Sequence, residues 1–180
     1  MIELRNVVVA YESRVILDSV NLTINDGETL VILGGSGSGK STLLRLLIGL
    51  QRPTSGQIIV DGTDITTLSE DEFNTVRRKM GMVFQYSALF DSMSVGENVA
   101  FGLRQHTKLG EDEIKRIVAE RLDWVGLKGY ESYMPNELSG GMKKRVSLAR
   151  AIALDPSLIL YDEPSSGLDP ITSGTISMLI

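Results

Sequence analysis

Cysteine is absent from this chain, and histidine occurs once, as His106. The first absence excludes a disulfide framework, a thiol nucleophile and any Cys-ligated metal. The second leaves no multi-histidine zinc site, and His106 reads as a surface residue. Long hydrophobic runs are missing too. They stop at four or five residues, as in Leu158-Ile-Leu-Tyr161, far short of the ~20 that a spanning helix needs. A basic balance is also lacking. Eighteen Lys and Arg against 23 Asp and Glu give a net charge of −5, so no whole-domain footprint for nucleic acid is present. Met1-Ile-Glu-Leu-Arg5 lacks the basic start and apolar stretch of a secretory signal. A cytoplasmic location is expected, with any membrane link made through a partner.

What is there is ordinary in bulk. The 180 residues are 42% hydrophobic and 23% charged, enough for one domain with a sizeable core and unlike a disordered tail or a collagen-like repeat. Strands are expected from Ile2, Leu4 and Val7 to Val9, from Val15 to Ile24, and from Gln57 to Val60. Asn25-Asp26-Gly27 is a turn signal. Three short apolar runs, Thr29–Leu33, Lys79–Phe84 and Leu158–Tyr161, suit strands covered on both faces, as in a parallel sheet. Helices are expected from Thr42 to Leu50 and from Ser69 to Lys79, where Ser69 and Glu72 form a capping pair. From Met93 to Arg150 the pattern is helical, with Ile114, Ile117, Val118, Leu122 and Val125 on one face. Asp169-Pro170 opens a last helix that runs to Ile180. The expected architecture is α/β: a parallel core, an antiparallel β layer from the N-terminal strands, and an inserted helical subdomain at about 93–150.

Three segments carry chemistry. Gly34-Gly35-Ser36-Gly37-Ser38-Gly39-Lys40-Ser41 fits G-x-x-x-x-G-K-[ST] between an apolar run and a helix, the context that pattern requires. Main-chain N–H groups must converge on phosphate oxygens, and side chains at the glycine positions would block them. The helix N-terminus favours the anion. Lys40 reaches the phosphates, the Ser41 hydroxyl suits magnesium, and Thr42 follows in the same turn. A glycine-rich β–α turn with a surface lysine is the plain alternative. Second, Asp162 and Glu163 end an apolar run. A carboxylate there is costly unless it meets a cation, so Asp162 suits magnesium, and Glu163 suits the polarisation of an attacking water. Third, Ser139-Gly140-Gly141 opens a basic helix, with Ser139 as cap and two glycines baring N–H groups, a second anion site. Alone it reads better as a plain helix start. Lys143-Lys144-Arg145 and Arg77-Arg78-Lys79 read as solvated helix faces.

Taken in order, these segments resemble the ATP-binding subunit of an ABC transporter over nearly the whole chain. Gly34 to Ser41 matches the Walker A motif of this P-loop NTPase (RecA-like) fold. Gln85 matches the Q-loop, Leu138 to Gly141 the signature motif, Asp162 and Glu163 the Walker B aspartate and catalytic glutamate, and Ser166 to Asp169 the D-loop. Tyr11 falls where the family stacks an aromatic on adenine. The resemblance implies ATP and Mg2+ as cofactors, with nucleotide contacts from Tyr11, Gly34 to Thr42, Ser139, Gly140, Gly141 and Asp169. It implies metal contacts from Ser41, Gln85 and Asp162, and catalysis by Glu163 and Gln85. It implies a head-to-tail homodimer in which Lys40 of one copy and Ser139 of the other hold each ATP. It also implies an integral membrane permease received by the segment from Gln85 to Glu97, and a peripheral position on the inner face of the cell membrane. Met142, where most members carry Gln, together with the flanking residues, is similar to the subgroup serving MCE-type lipid trafficking, which adds an MCE-domain lipid-binding protein as a partner.

Two features depart from the family. No switch histidine follows Asp169, and the strand that follows Walker B is missing. The expectation is therefore of a domain incomplete at its C-terminus, with residues 1–180 alone inactive. The alternatives are a soluble ABC-type ATPase without a permease and a non-catalytic nucleotide-binding fragment. The 53 residues between Gln85 and Ser139 carry no Cys and no heptads, unlike the DNA-repair relatives.

Overall fold

Alternating apolar residues put β1 (Ile2–Tyr11) and β2 (Arg14–Ile24) into one antiparallel ladder. Ile2, Leu4, Val7 and Val9 are buried. The two-residue period slips by one between Leu4 and Val7, where the ladder has a bulge and Asn6 takes φ 50. The extra residue returns the valines to the covered face, which a slip without a bulge would have turned to solvent. The computed structural model describes residues 1–12 and 14–179, without the side chains of Ile171, Thr172 and Thr175. Ile180, expected to lie within the last helix, is outside the described residues.

The chain divides into two compact units, and the first is Met1–Arg77. On the far side of β1 lies β3 (Ser55–Val60), followed by the short β4 (Thr63–Asp64), in the order β2-β1-β3-β4. Gly56 sits opposite the bulge at φ 89, and a Cβ there would lie 2.3 Å from the Asn6 carbonyl oxygen. Helix α1 (Lys40–Leu47) buries Leu43, Leu46 and Leu47. It starts two residues earlier and ends three residues sooner than its apolar pattern suggests. Gly49 at φ 69 ends it: the N–H of Leu50 donates to Arg45 and that of Gly49 to Leu46, the paired bonds of a glycine stop. Helix α2 (Glu70–Arg77) has the expected cap, with Ser69 N–H donating to Glu72 at 2.9 Å.

The second unit begins at Arg78. Here β5 (Met80–Val83) and β6 (Leu158–Tyr161) run parallel, with Met80 beside Leu158 and Val83 beside Tyr161. Between them in sequence come α3 (Val95–His106), α4 (Glu111–Trp124), a 3-10 turn at Pro135–Glu137 and α5 (Gly140–Ala151). Val99, Leu103, Ile114, Val118, Leu122, Val146 and Leu148 form their common core. The expected α4 face is the buried one. His106 is exposed at the end of α3. Helix α6 (Pro170–Leu179) follows β6 and buries Ile176.

Two expectations fail. Thr29–Leu33 is not a strand: Val31 and Leu33 are 70% and 88% exposed, and no ladder partner faces them among the described residues. A strand exists only through a neighbour's hydrogen bonds, and the parallel sheet described here has two strands, β5 and β6. Those two strands are half-buried rather than covered throughout. The basic runs are also not simply solvated. Arg77 donates to the Ile48 carbonyl at 2.9 Å and stacks over Phe73 at 4.5 Å. Arg145 donates to the carbonyls of Val125 and Gly126, and Lys144 is buried. Arginine and lysine here satisfy carbonyls left open at helix ends and turns.

Candidate functional site

In the first unit the glycine-rich segment runs from Gly34 into α1. Gly37 and Gly39 hold φ 79 and 96, a region that L side chains resist. A Cβ on Gly39 would meet Leu17 at 2.8 Å, and one on Gly34 would meet Ser38 Oγ at 2.6 Å. Gly37 and Gly39 are therefore favoured by the loop's own backbone, apart from any ligand, whereas at Gly34 the neighbour is a serine hydroxyl that can turn away. Lys40 opens α1, and its ammonium lies back across the loop, donating to the carbonyl oxygens of Gly34 at 2.8 Å and Gly35 at 3.2 Å. Ser41 and Thr42 sit half-buried in the first turn, while Gly35, Ser36 and Ser38 are exposed. A cation, bared main-chain amides and a helix N-terminus thus occupy one short segment, an arrangement that accepts anions. Tyr11 ends β1 opposite Arg14 and is 55% exposed. It presents a ring to solvent and is no core aromatic.

The second unit gathers a different set. The N–H of Asp162 donates to the Val83 carbonyl at 3.0 Å, extending the parallel ladder to the carboxylates. The next residue, Glu163, turns the chain with φ 47. Non-glycine residues hold that conformation only where the surroundings fix it, and such residues cluster at functional sites. What fixes this turn can be named. Gln85, just past β5, donates its amide N–H to Glu163 Oε2 at 3.1 Å and to Ser166 Oγ at 3.2 Å. The N–H of Ser166 donates to the Glu163 carbonyl at 3.0 Å. From α5, the Lys144 ammonium donates to the Ser166 carbonyl at 2.6 Å. Burial pushes the Lys144 ammonium below its ordinary pKa, and the negative charge of Glu163 acts in the opposite direction.

Helix α5 begins as its sequence suggests. Ser139 caps it, accepting from the Met142 N–H at 3.3 Å. Gly140 is exposed and Gly141 is buried. Asp169 precedes α6, its carbonyl accepting from Ser173. Beyond Gln85 the chain makes a tight turn through Ser87 and Ala88, at φ 62 and 46. Arg150 holds that turn by donating to both carbonyls, at 3.1 and 2.8 Å.

The sequence named Gln85 and Glu163 as candidates, and the fold brings them into contact from 78 residues apart. It did not single out Lys144, which the fold brings to the same turn. A signal was present: Gly141, Lys144 and Leu148 are spaced i, i+3, i+7, which puts the lysine on the buried stripe of α5.

Comparison with known proteins assigns the chain to a family. The sequence model of the family described as ABC transporter matches residues 17–166. The chain is 50% identical over 180 residues to the intermembrane phospholipid transport system ATP-binding protein MlaF of Haemophilus influenzae, covering all of this chain and 68% of that protein. It is 51% identical over 179 residues to the probable ribonucleotide transport ATP-binding protein mkl of Mycobacterium tuberculosis, of which it spans half the length. Among solved structures it is similar to the dimeric, ADP- and phosphate-bound post-hydrolysis state of the ATP-binding cassette MJ0796. The TM-score is 0.90 at 36% identity, covering 99% of this chain and 81% of that one.

Proposed function

We propose, because this chain belongs to the ABC transporter family, that it is the ATP-hydrolysing subunit of a transporter that moves phospholipid. The observation that carries the cargo is the 50% identity to MlaF along the whole chain. Family membership and the likeness to a post-hydrolysis cassette support ATP binding and hydrolysis. In this reading Gly34 to Thr42 hold the phosphates, Tyr11 stacks on the adenine, and Glu163 is the general base with Gln85 beside it. Residues 1–180 then act within one ATPase domain whose helical part lies at about 93–150.

Magnesium fits the donors present. Ser41, Asp162 and the amide oxygen of Gln85 are hard oxygen ligands, and magnesium takes few protein ligands when substrate phosphates and waters complete its octahedron. The ion would supply charge neutralisation at the phosphates.

The partners follow from the same reading. In this reading each ATP is closed by Ser139, Gly140, Gly141 and Asp169 of a second copy; the likeness to the dimeric MJ0796 cassette supports the pairing of two copies. No described helix is long and apolar enough to cross a membrane; in this reading, supported by the likeness to a transport-system ATP-binding protein, a permease supplies the path. The segment from Gln85 to Glu97 is its dock, with Tyr86 87% and Phe90 40% exposed and an MCE-domain protein as a further partner. Leu89 packs on the helical core, so Tyr86 gives the cleaner test. Tyr86→Asp should abolish co-purification with the permease while basal ATPase activity and thermal unfolding stay near those of the parent. Retained co-purification would place the dock elsewhere.

Cargo is tested by assembling the intact protein with its permease in liposomes and following labelled lipid. ATP-dependent movement of phospholipid is expected. A second reading, ribonucleotide cargo, is favoured by the mkl likeness, and ATP-driven accumulation of a labelled ribonucleotide without lipid movement would establish it instead.

A further inference from the structure

We infer that Lys144 is a positioning residue for ATP hydrolysis: from α5 it holds the Glu163–Ser166 turn and, through Ser166 and Gln85, the Glu163 carboxylate. The inference rests on the reading of Glu163 as general base.

Lysine side chains ordinarily run their stems along apolar surface and keep the ammonium in water. Lys144 does not: the residue is 6% exposed on a helix whose neighbouring positions Val146, Leu148 and Ala149 line the core. A buried ammonium is retained only where its donors are used. Its acceptor here is the main-chain carbonyl of Ser166. A bond to main chain fixes the course of the backbone, whereas a bond to a side chain would fix only that side chain.

Ser166 is then held at three points. Its carbonyl accepts from Lys144, its hydroxyl accepts from Gln85, and its N–H closes the turn onto Glu163. The Gln85 amide nitrogen that reaches Ser166 also reaches the Glu163 carboxylate. These bonds form one connected set, and Lys144 is its contribution from α5. Glu163 sits at the start of the turn in a left-handed conformation, so the direction of its carboxylate depends on a backbone that relaxes if the turn is released. A reacting group displaced by about 1 Å loses on the order of a hundredfold in rate. Helix α5 begins at the capped Ser139-Gly140-Gly141 segment, so the same helix carries the second anion site at its start and this bond one turn further along.

The test measures kcat and KM for ATP in the intact protein, with thermal unfolding as the check on folding. Lys144→Met keeps the stem and removes the donor. It should lower kcat by about ten- to a hundredfold and leave the KM for ATP and the unfolding midpoint near those of the parent. Lys144→Gln keeps a donor on a shorter, neutral side chain and should give an intermediate kcat. In a Glu163→Gln background, Lys144→Met should cost nothing further, since the group it positions is already gone. Parental kcat in Lys144→Met overturns the inference, as does an equal fold-loss with and without Glu163. If Lys144→Met does not fold, Lys144→Gln carries the comparison, and parental kcat there is equally fatal. A Glu163→Gln variant with full turnover defeats the reading of Glu163 and this inference with it. An inactive Glu163→Gln beside an unaffected Lys144→Met defeats this inference alone.

Discussion

Glu163→Gln is expected to bind ATP as the parent does and to turn it over on the order of 10²–10⁴ times more slowly, the range that a positioned general base supplies. The local geometry makes this a clean substitution. The glutamate oxygen that accepts from Gln85 at 3.1 Å becomes an amide oxygen, which can still accept, though without the carboxylate's charge. The residue stays an L side chain of the same length at φ 47, so the turn to Ser166 is not perturbed by shape. What is lost is the basic carboxylate and the charge that acts on Lys144. The glycine-rich loop, where binding is assigned, is untouched. In the head-to-tail pairing proposed above, closure precedes hydrolysis, so the variant should accumulate as an ATP-bound dimer. Phosphate release gives the rate, and size-exclusion chromatography with and without ATP gives the dimer. Near-parental phosphate release would assign the base to another residue.

Lys40→Ala is expected to weaken ATP binding by about tenfold to somewhat over a hundredfold, the equivalent of roughly 1.5–3 kcal/mol for a charge-assisted hydrogen bond. The ammonium has donors and no acceptor, and it lies across the loop on the carbonyls of Gly34 and Gly35. It can therefore bridge those carbonyls and the phosphate oxygens of a bound nucleotide. Alanine is the best helix former, so the first turn of α1 should survive its loss. The variant should unfold near the parental temperature, which separates a binding defect from a folding defect. Titration of the intact protein with ATP reads the affinity. Unchanged affinity would remove Gly34–Ser41 from the nucleotide site.

Much of this chain is local, and local features were legible. Strand β6 was read to the residue, because Leu158–Tyr161 is bounded by Pro156-Ser157 and two acids. The cap of α2 was visible in Ser69 and Glu72, since a capping pair needs only residues three apart. The glycine-rich loop was visible because main-chain approach to phosphate leaves little freedom in residue type. Thr29–Leu33 misled for the opposite reason. Its apolar run has the composition of a covered strand, but a strand is made by hydrogen bonds to a neighbour, and composition carries no record of that neighbour. Lys143-Lys144-Arg145 misled because charge was weighed ahead of helical spacing. Lysine and arginine reach buried carbonyls as readily as they reach water when the carbonyls need donors.

The sequence by itself determined the local features: the glycine-rich loop from Gly34 to Ser41, the acids Asp162 and Glu163 that follow β6, and the capped start of α5 at Ser139. Each is set by backbone constraints within a few residues. Only the tertiary structure decided that Gln85 meets Glu163 and Ser166 and that Lys144 closes the turn from α5. Those contacts join residues 22 to 81 positions apart. They exist because the parallel pairing of β5 with β6 sets Val83 beside Tyr161, and because the packed helices bring α5 against that pair. Pairing and packing of this kind are properties of the whole core, and no short stretch of sequence contains them.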